Sequence, residues 1–127
     1  MIQKRPTNIN LLKIQLPLSA LLSITHRISG MLIFFLVLPG SAIALSFMYE
    51  DQDSYNNFIN YYSNNLTIKL TFITLVLIFQ YHIFTGIRHM LMDFHFLEES
   101  LSTSFRSAIF TLLVFLLNAI LTILVML

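Results

Sequence analysis

An all-α membrane protein with three transmembrane helices is the fold class this sequence predicts, and three observations predict it. The chain of 127 residues is 57% hydrophobic and only 10% charged, with a mean hydropathy of +0.79, a composition suited to lipid rather than to water. Its apolar residues gather into three runs, about 18–49, 66–91 and 107–127, each near or above the roughly 20 residues a helix needs to cross the hydrocarbon. The stretches between them are short, so residues 1–127 read as a single membrane domain.

Composition also excludes several classes of function. Cysteine is absent, which rules out disulfides, thiolate chemistry and an iron–sulfur cluster ligated by cysteines of this chain. A formal charge of +1, with no basic stripe interleaved with aromatics, gives no footprint for nucleic acid.

Taken in order, residues 1–17 carry Lys4, Arg5 and Lys13 but no continuous apolar core or small-residue cleavage site, so a secretory signal is not expected. Pro17 suits a first helical turn, where a missing N–H costs nothing. The first span contains Pro39-Gly40, which predicts a tilt, a kink there or a projection past the bilayer. Residues 50–65, EDQDSYNNFINYYSNN, lack Lys and Arg and read as a polar outer loop. Counting Lys and Arg places the amino terminus and the 92–106 loop on the inner side. Within that inner loop, FHFLEESLSTSF fits either a short interfacial helix or an ordinary connection.

Polar groups then collect at one depth. Counting ~1.5 Å per residue, His82 lies roughly 15 Å from the inner end of the second span near Asp93, and His89 and Arg88 lie closer to it. Ser23, His26 and Arg27 occupy a shallow level of the first span. Spacings of four, three and four place His82, Gly86, His89 and Asp93 on one helix face, and Ser19, Ser23, Arg27 and Gly30 follow the same rule with His26 alongside. A glycine in each stripe lets a flat group approach the backbone.

A bound haem fits that pattern. The deep His82 can ligate iron, while arginine and the shallower His26 and His89 can meet propionates. His82 and His89 cannot reach opposite faces of one haem from a single helix. By depth, His26 reads as too shallow to pair with His82, so a second ligand is expected from a partner subunit. A quinone headgroup is served at the same level by Ser23 and Arg27, a hydroxyl and a cation that stabilise developing negative oxygen. Blander readings stand beside these. Arg88 and Arg27 suit anchors that snorkel to headgroups, Asp93 a boundary cap, Tyr81 packing or an interhelical hydrogen bond, and Asn118 interhelical bonding. Thr25, Ser29, Thr71, Thr74 and Thr85 can bond carbonyls of their own helix.

RPTNINLLKIQLPLSALLSITHRISG (residues 5–30) and HIFTGIRHMLMD (residues 82–93) together resemble the cytochrome b556 membrane anchors of succinate dehydrogenase, respiratory complex II. The shared elements are Ser-x-x-His-Arg-x-x-Gly, here Ser23, His26, Arg27 and Gly30, and His-x-x-x-Gly-x-Arg-His, here His82, Gly86, Arg88 and His89. The resemblance implies a chain that is not catalytic alone. It also implies haem b shared with a second small anchor subunit, with His82 the axial ligand from this chain and the opposite histidine from that partner. Ser23 and Arg27 would belong to a ubiquinone pocket beside an iron–sulfur subunit, and His26, Arg27, Gly86 and His89 to the cofactor surroundings. A flavoprotein subunit would oxidise succinate.

Two other functions remain open: an anchor of the fumarate reductase type, and a non-redox scaffold or transporter subunit that uses its polar stripes for assembly. The abundance of Ile, Phe and Asn suits an AT-rich organelle or a bacterium alike; the expected location is the mitochondrial inner membrane, amino terminus on the matrix side, with a bacterial plasma membrane as the alternative.

Overall fold

The computed structural model describes residues 16–97 and 100–127, and these are helical almost throughout. Helix α1 covers Leu18–Tyr49, α3 Leu66–Asp93 and α4 Leu101–Met126, all long and apolar enough to cross a membrane. At ~1.5 Å per residue they reach about 48, 42 and 39 Å, more than the ~30 Å of hydrocarbon. Tilt or projection must absorb the excess. A shorter helix, α2, covers Gln52–Asn64. The basic residues Lys4, Arg5 and Lys13, the Arg5-Pro6 opening and the Glu98-Glu99 pair lie outside the described residues.

Helix α1 starts where expected. Pro17 is extended (φ −63°, ψ 151°), and its carbonyl accepts from Ala20 N–H at 2.9 Å and Leu21 N–H at 3.2 Å. Pro39 does not end the helix. Because proline cannot donate to the carbonyl four residues back, the backbone widens into a π-helical turn over Ile33–Val37, closed by Leu38 N–H on the Ile33 carbonyl. That insertion keeps α1 continuous past a residue that would otherwise break it.

The stretch expected as a polar loop is helical. Asp51 caps α2, its Oδ1 accepting from Ser54 N–H at 2.6 Å, and Asn65 both follows α2 and caps α3 through Thr67 N–H at 3.0 Å. Tyr55, Phe58, Ile59 and Tyr62 recur at helical spacing, and Phe58 and Tyr62 set their rings edge-on to Phe72 of α3 at 5.6 and 5.9 Å. At the other end α3 closes with His95 in the left-handed conformation (φ 59°). Phe96 N–H bonds the Leu91 carbonyl and His95 N–H the Met92 carbonyl, the doubly bonded stop that satisfies orphan carbonyls of a helix end. Helix α4 then begins at Leu101, ahead of Ser107, capped by Ser100, so the SLSTSF part of the connection is its first turn rather than a separate interfacial helix.

Helix α3 packs against each of the other three. The buried set is small-sided or polar, with Leu22, Ala44, Ile73, Ala108 and Ala119 beside Ser29, Thr85 and Arg88. Large apolar side chains such as Phe34, Phe35 and Phe110 face outward. Lipid tails are as apolar as leucine, so bundles in membranes are held by close packing of small residues and by hydrogen bonds.

Candidate functional site

The polar groups of α1 and α3 meet where the helices cross. His26 and His82 stack, ring centroids 4.1 Å apart and planes 12° from parallel, and His89 adds a third ring 5.2 Å from His26. His26, expected to lie too shallow to meet His82, is thus in ring contact with it, though two rings stacked at that distance do not flank one flat group. Glycines allow the close approach. A Cβ on Gly30 would lie 3.2 Å from His82 Cε1, and one on Gly86 would lie 3.1 Å from His26 Cε1. The flat group beside Gly86 in this structure is the imidazole of His26.

Hydrogen bonding fixes the tautomer of both rings. Ser29 Oγ donates to the His26 carbonyl at 2.7 Å, so its one proton is committed, and toward His82 Nδ1, 2.9 Å away, it can only accept. His82 Nδ1 also faces the His26 carbonyl at 3.3 Å, another pure acceptor. Thr85 repeats the arrangement, donating to the Tyr81 carbonyl at 2.7 Å and accepting from His26 Nδ1 at 2.8 Å. Both imidazoles thus carry hydrogen on Nδ1. Each Nε2 is a lone-pair nitrogen without a hydrogen-bond partner among the described residues.

The hydroxyl residues do bond carbonyls of their own helix, as their spacing predicts. For Ser29 and Thr85 that bond is half of the role. The pattern that would have revealed the other half is visible in the chain: His-x-x-Ser-Gly at 26–30 and His-x-x-Thr-Gly at 82–86. Tyr81 forms the expected interhelical hydrogen bond, to Thr25 Oγ1, and its ring meets Phe115 edge-on. Ser23 is half-buried and Arg27 exposed on α1, and neither is hydrogen-bonded to the described residues. Asp93 sits exposed at the last position of α3.

Arg88 departs from the snorkelling expectation. It is 3% exposed and turns toward α4, donating from Nε to Ser107 Oγ at 3.1 Å and from Nη2 to the Ser104 carbonyl at 3.1 Å and Ser104 Oγ at 3.2 Å. Placed off the His82 face, it found a polar helix rather than a headgroup. The α3–α4 seam is bonded further along by Gln80 to Thr122 at 2.8 Å, while Asn118 offers Thr122 its backbone carbonyl.

Residues 1–125 match the family described as the succinate dehydrogenase/fumarate reductase transmembrane subunit. The chain belongs to that family. It is 37% identical over 96 residues to a succinate dehydrogenase cytochrome b556 subunit of Coxiella burnetii, covering 76% of each chain. It is also 34% and 36% identical, over 90 residues, to proteins of the same description in Rickettsia felis and Rickettsia bellii, covering 71% of this chain and 68% of each relative. This chain is thus a membrane-anchor subunit of a succinate dehydrogenase-like complex rather than its catalytic subunit. These relatives are bacterial, which favours a bacterial plasma membrane over the expected mitochondrial inner membrane.

Proposed function

We propose that this anchor binds haem b through His82 and a quinone headgroup through Ser23 and Arg27, linking an iron–sulfur partner to the quinone pool. The observation that carries the reading is the state of His82. Its Nδ1 is tied to Ser29 and the His26 carbonyl, which leaves Nε2 as a neutral imidazole donor, the usual ligating state of histidine toward iron. The residues present therefore fit the group. Bound there, haem would supply one-electron storage between the iron–sulfur subunit and the quinone.

His89, beside His26, suits the propionate side; His26, its Nδ1–H already given to Thr85, would meet a propionate only as the imidazolium, and Gly86 lets it approach α3 closely. Arg27, exposed and one turn from Ser23, provides charge for the quinone oxygens from the same helix. A second histidine to hold the haem would come from a second small anchor subunit, and electrons from iron–sulfur and flavoprotein subunits. The family joins succinate oxidation and fumarate reduction, and these groups stabilise charge on a quinone in either direction. A quinone-linked anchor is proposed without a direction, in a bacterial plasma membrane with the amino terminus inside. An Nε2 left as a lone pair supports a ligating role for His82, whereas a scaffold role makes no use of it.

The test is purification of the complex in mild detergent, with its subunits identified and a reduced-minus-oxidised spectrum recorded. A b-type band is expected in the wild type and its loss or weakening in His82→Ala, with membrane insertion kept. An unchanged haem spectrum in that variant would overturn the ligand assignment.

A further inference from the structure

His26-Arg27-Ile28-Ser29-Gly30 and His82-Ile83-Phe84-Thr85-Gly86 are two copies of one pattern, carried by helices that cross with their histidines stacked. Each imidazole bonds the hydroxyl of the other copy, at 2.9 Å for His82 to Ser29 and 2.8 Å for His26 to Thr85. Each also lies over the glycine of the other copy, at 3.2 and 3.1 Å from the Cβ a substitution would add. The contacts are thereby interchanged by a local two-fold relation between the helices. The two hydroxyls are among the most enclosed groups of the bundle, Thr85 at 1% exposure and Ser29 at 5%. A hydroxyl so enclosed, with its proton already given to a backbone carbonyl, has one task left, which is to accept.

We propose that Ser29 is the positioning residue of His82: held by the His26 carbonyl, its hydroxyl fixes the His82 ring in the Nδ1–H tautomer and makes Nε2 the ligating nitrogen. The proposal rests on the haem reading above and deepens it. An acceptor on Nδ1–H makes the imidazole a stronger electron donor, and partners of this kind tune the metal as well as orient its ligand. Stronger donation favours oxidised iron, so the Ser29 hydroxyl lowers the haem potential. The His26 carbonyl, at 3.3 Å, is the weaker acceptor that remains when Ser29 is removed, so loss of the hydroxyl retunes the ligand rather than freeing it.

The experiment uses the assembled complex and reads haem content, midpoint potential and the low-spin ferric EPR signal. Ser29→Ala is expected to raise the potential by the equivalent of roughly three- to tenfold in the reduced-to-oxidised ratio, where tenfold is 59 mV for one electron and one neutral hydrogen bond sets the scale. Ser29→Thr, which restores a hydroxyl, is expected to move the potential back toward the wild type. A haem-loaded Ser29→Ala complex with wild-type potential and EPR signal overturns the positioning role and leaves the haem reading standing. A wild-type complex without haem overturns both. If Ser29→Ala does not assemble, Ser29→Thr and Ser29→Val, equal in shape and different in the hydroxyl, make the same comparison: a higher potential in the valine variant supports the role, and equal potentials overturn it.

Discussion

Arg27 stands exposed beside a half-buried histidine pair, and that contrast separates its role from theirs. A guanidinium with no bond to the described residues is available to a ligand, whereas His26 and His82 are already held. Arg27→Ala is expected to cut quinone reduction by about 10²-fold or more, the scale of losing one transition-state donor, while succinate oxidation by an artificial dye is largely kept. Equal loss of both activities in an intact complex would count against a quinone-specific role. The glycines make a second, sharper comparison. Gly30 faces His82 and Gly86 faces His26, and overpacking a tight contact costs about 1–3 kcal/mol. Gly30→Val is therefore expected to reduce haem content or alter its EPR signal more than Gly86→Val does, and the reverse order would contradict His82 as the ligand. What the sequence showed at this scale was residue type and face: His82, His26 and His89 fall on facing stripes by spacing alone. Ser29 and Thr85 were harder to see, because a hydroxyl in an apolar helix can always bond its own backbone, and its second partner depends on a crossing point that a single sequence does not display.

Among the elements, α2 and the α3–α4 seam each rest on a few polar contacts. The carboxylate of Asp51 is held below its ordinary range first by the backbone N–H of Ser54. A group whose folded pKa is depressed stabilises the fold above its unfolded pKa and loses that contribution as pH falls through the folded value. Backbone hydrogen exchange across Gln52–Asn64 is thus expected to quicken as pH drops below the ordinary aspartate range, after correction for intrinsic rates, and Asp51→Ala is expected to exchange fast at neutral pH as well. Identical pH dependence in wild type and Asp51→Ala would remove the cap from the account. Arg88 holds α4 with three hydrogen bonds to neutral acceptors, which offset the cost of keeping a cation out of water. Arg88→Ala leaves a cavity and takes a donor from Ser104 and Ser107, though Ser107 keeps its bond to the Ser104 carbonyl, with an expected stability loss of about 1–3 kcal/mol, read as a lower Tm of the complex in detergent. Unchanged thermal unfolding would show that the seam does not depend on it. The three apolar helices were legible from run length, since length in lipid is set by bilayer thickness. Helix α2 was not, because Asn, Asp and Ser dominate its composition; its Tyr55, Phe58, Ile59 and Tyr62 stripe carries the helical signal instead.

For the whole molecule, three helices long and apolar enough to cross would put the two ends of the bundle on opposite sides of the membrane. The absence of cysteine makes this directly testable with single introduced thiols. Asn57→Cys in α2 is expected to react with an impermeant maleimide from outside, and Ser102→Cys in the first turn of α4 only after the membrane is opened. Labelling of both from one side would rule out this arrangement of helices. The crossing of α1 and α3 bears on the same question of placement. A slip of α3 along α1 by one residue, ~1.5 Å, would break both imidazole–hydroxyl bonds and drive both rings off their glycines together. The crossing works as a register pin, setting the height of each imidazole against the other helix from inside the protein, whatever the lipid surface does at either end of helices longer than the membrane is thick.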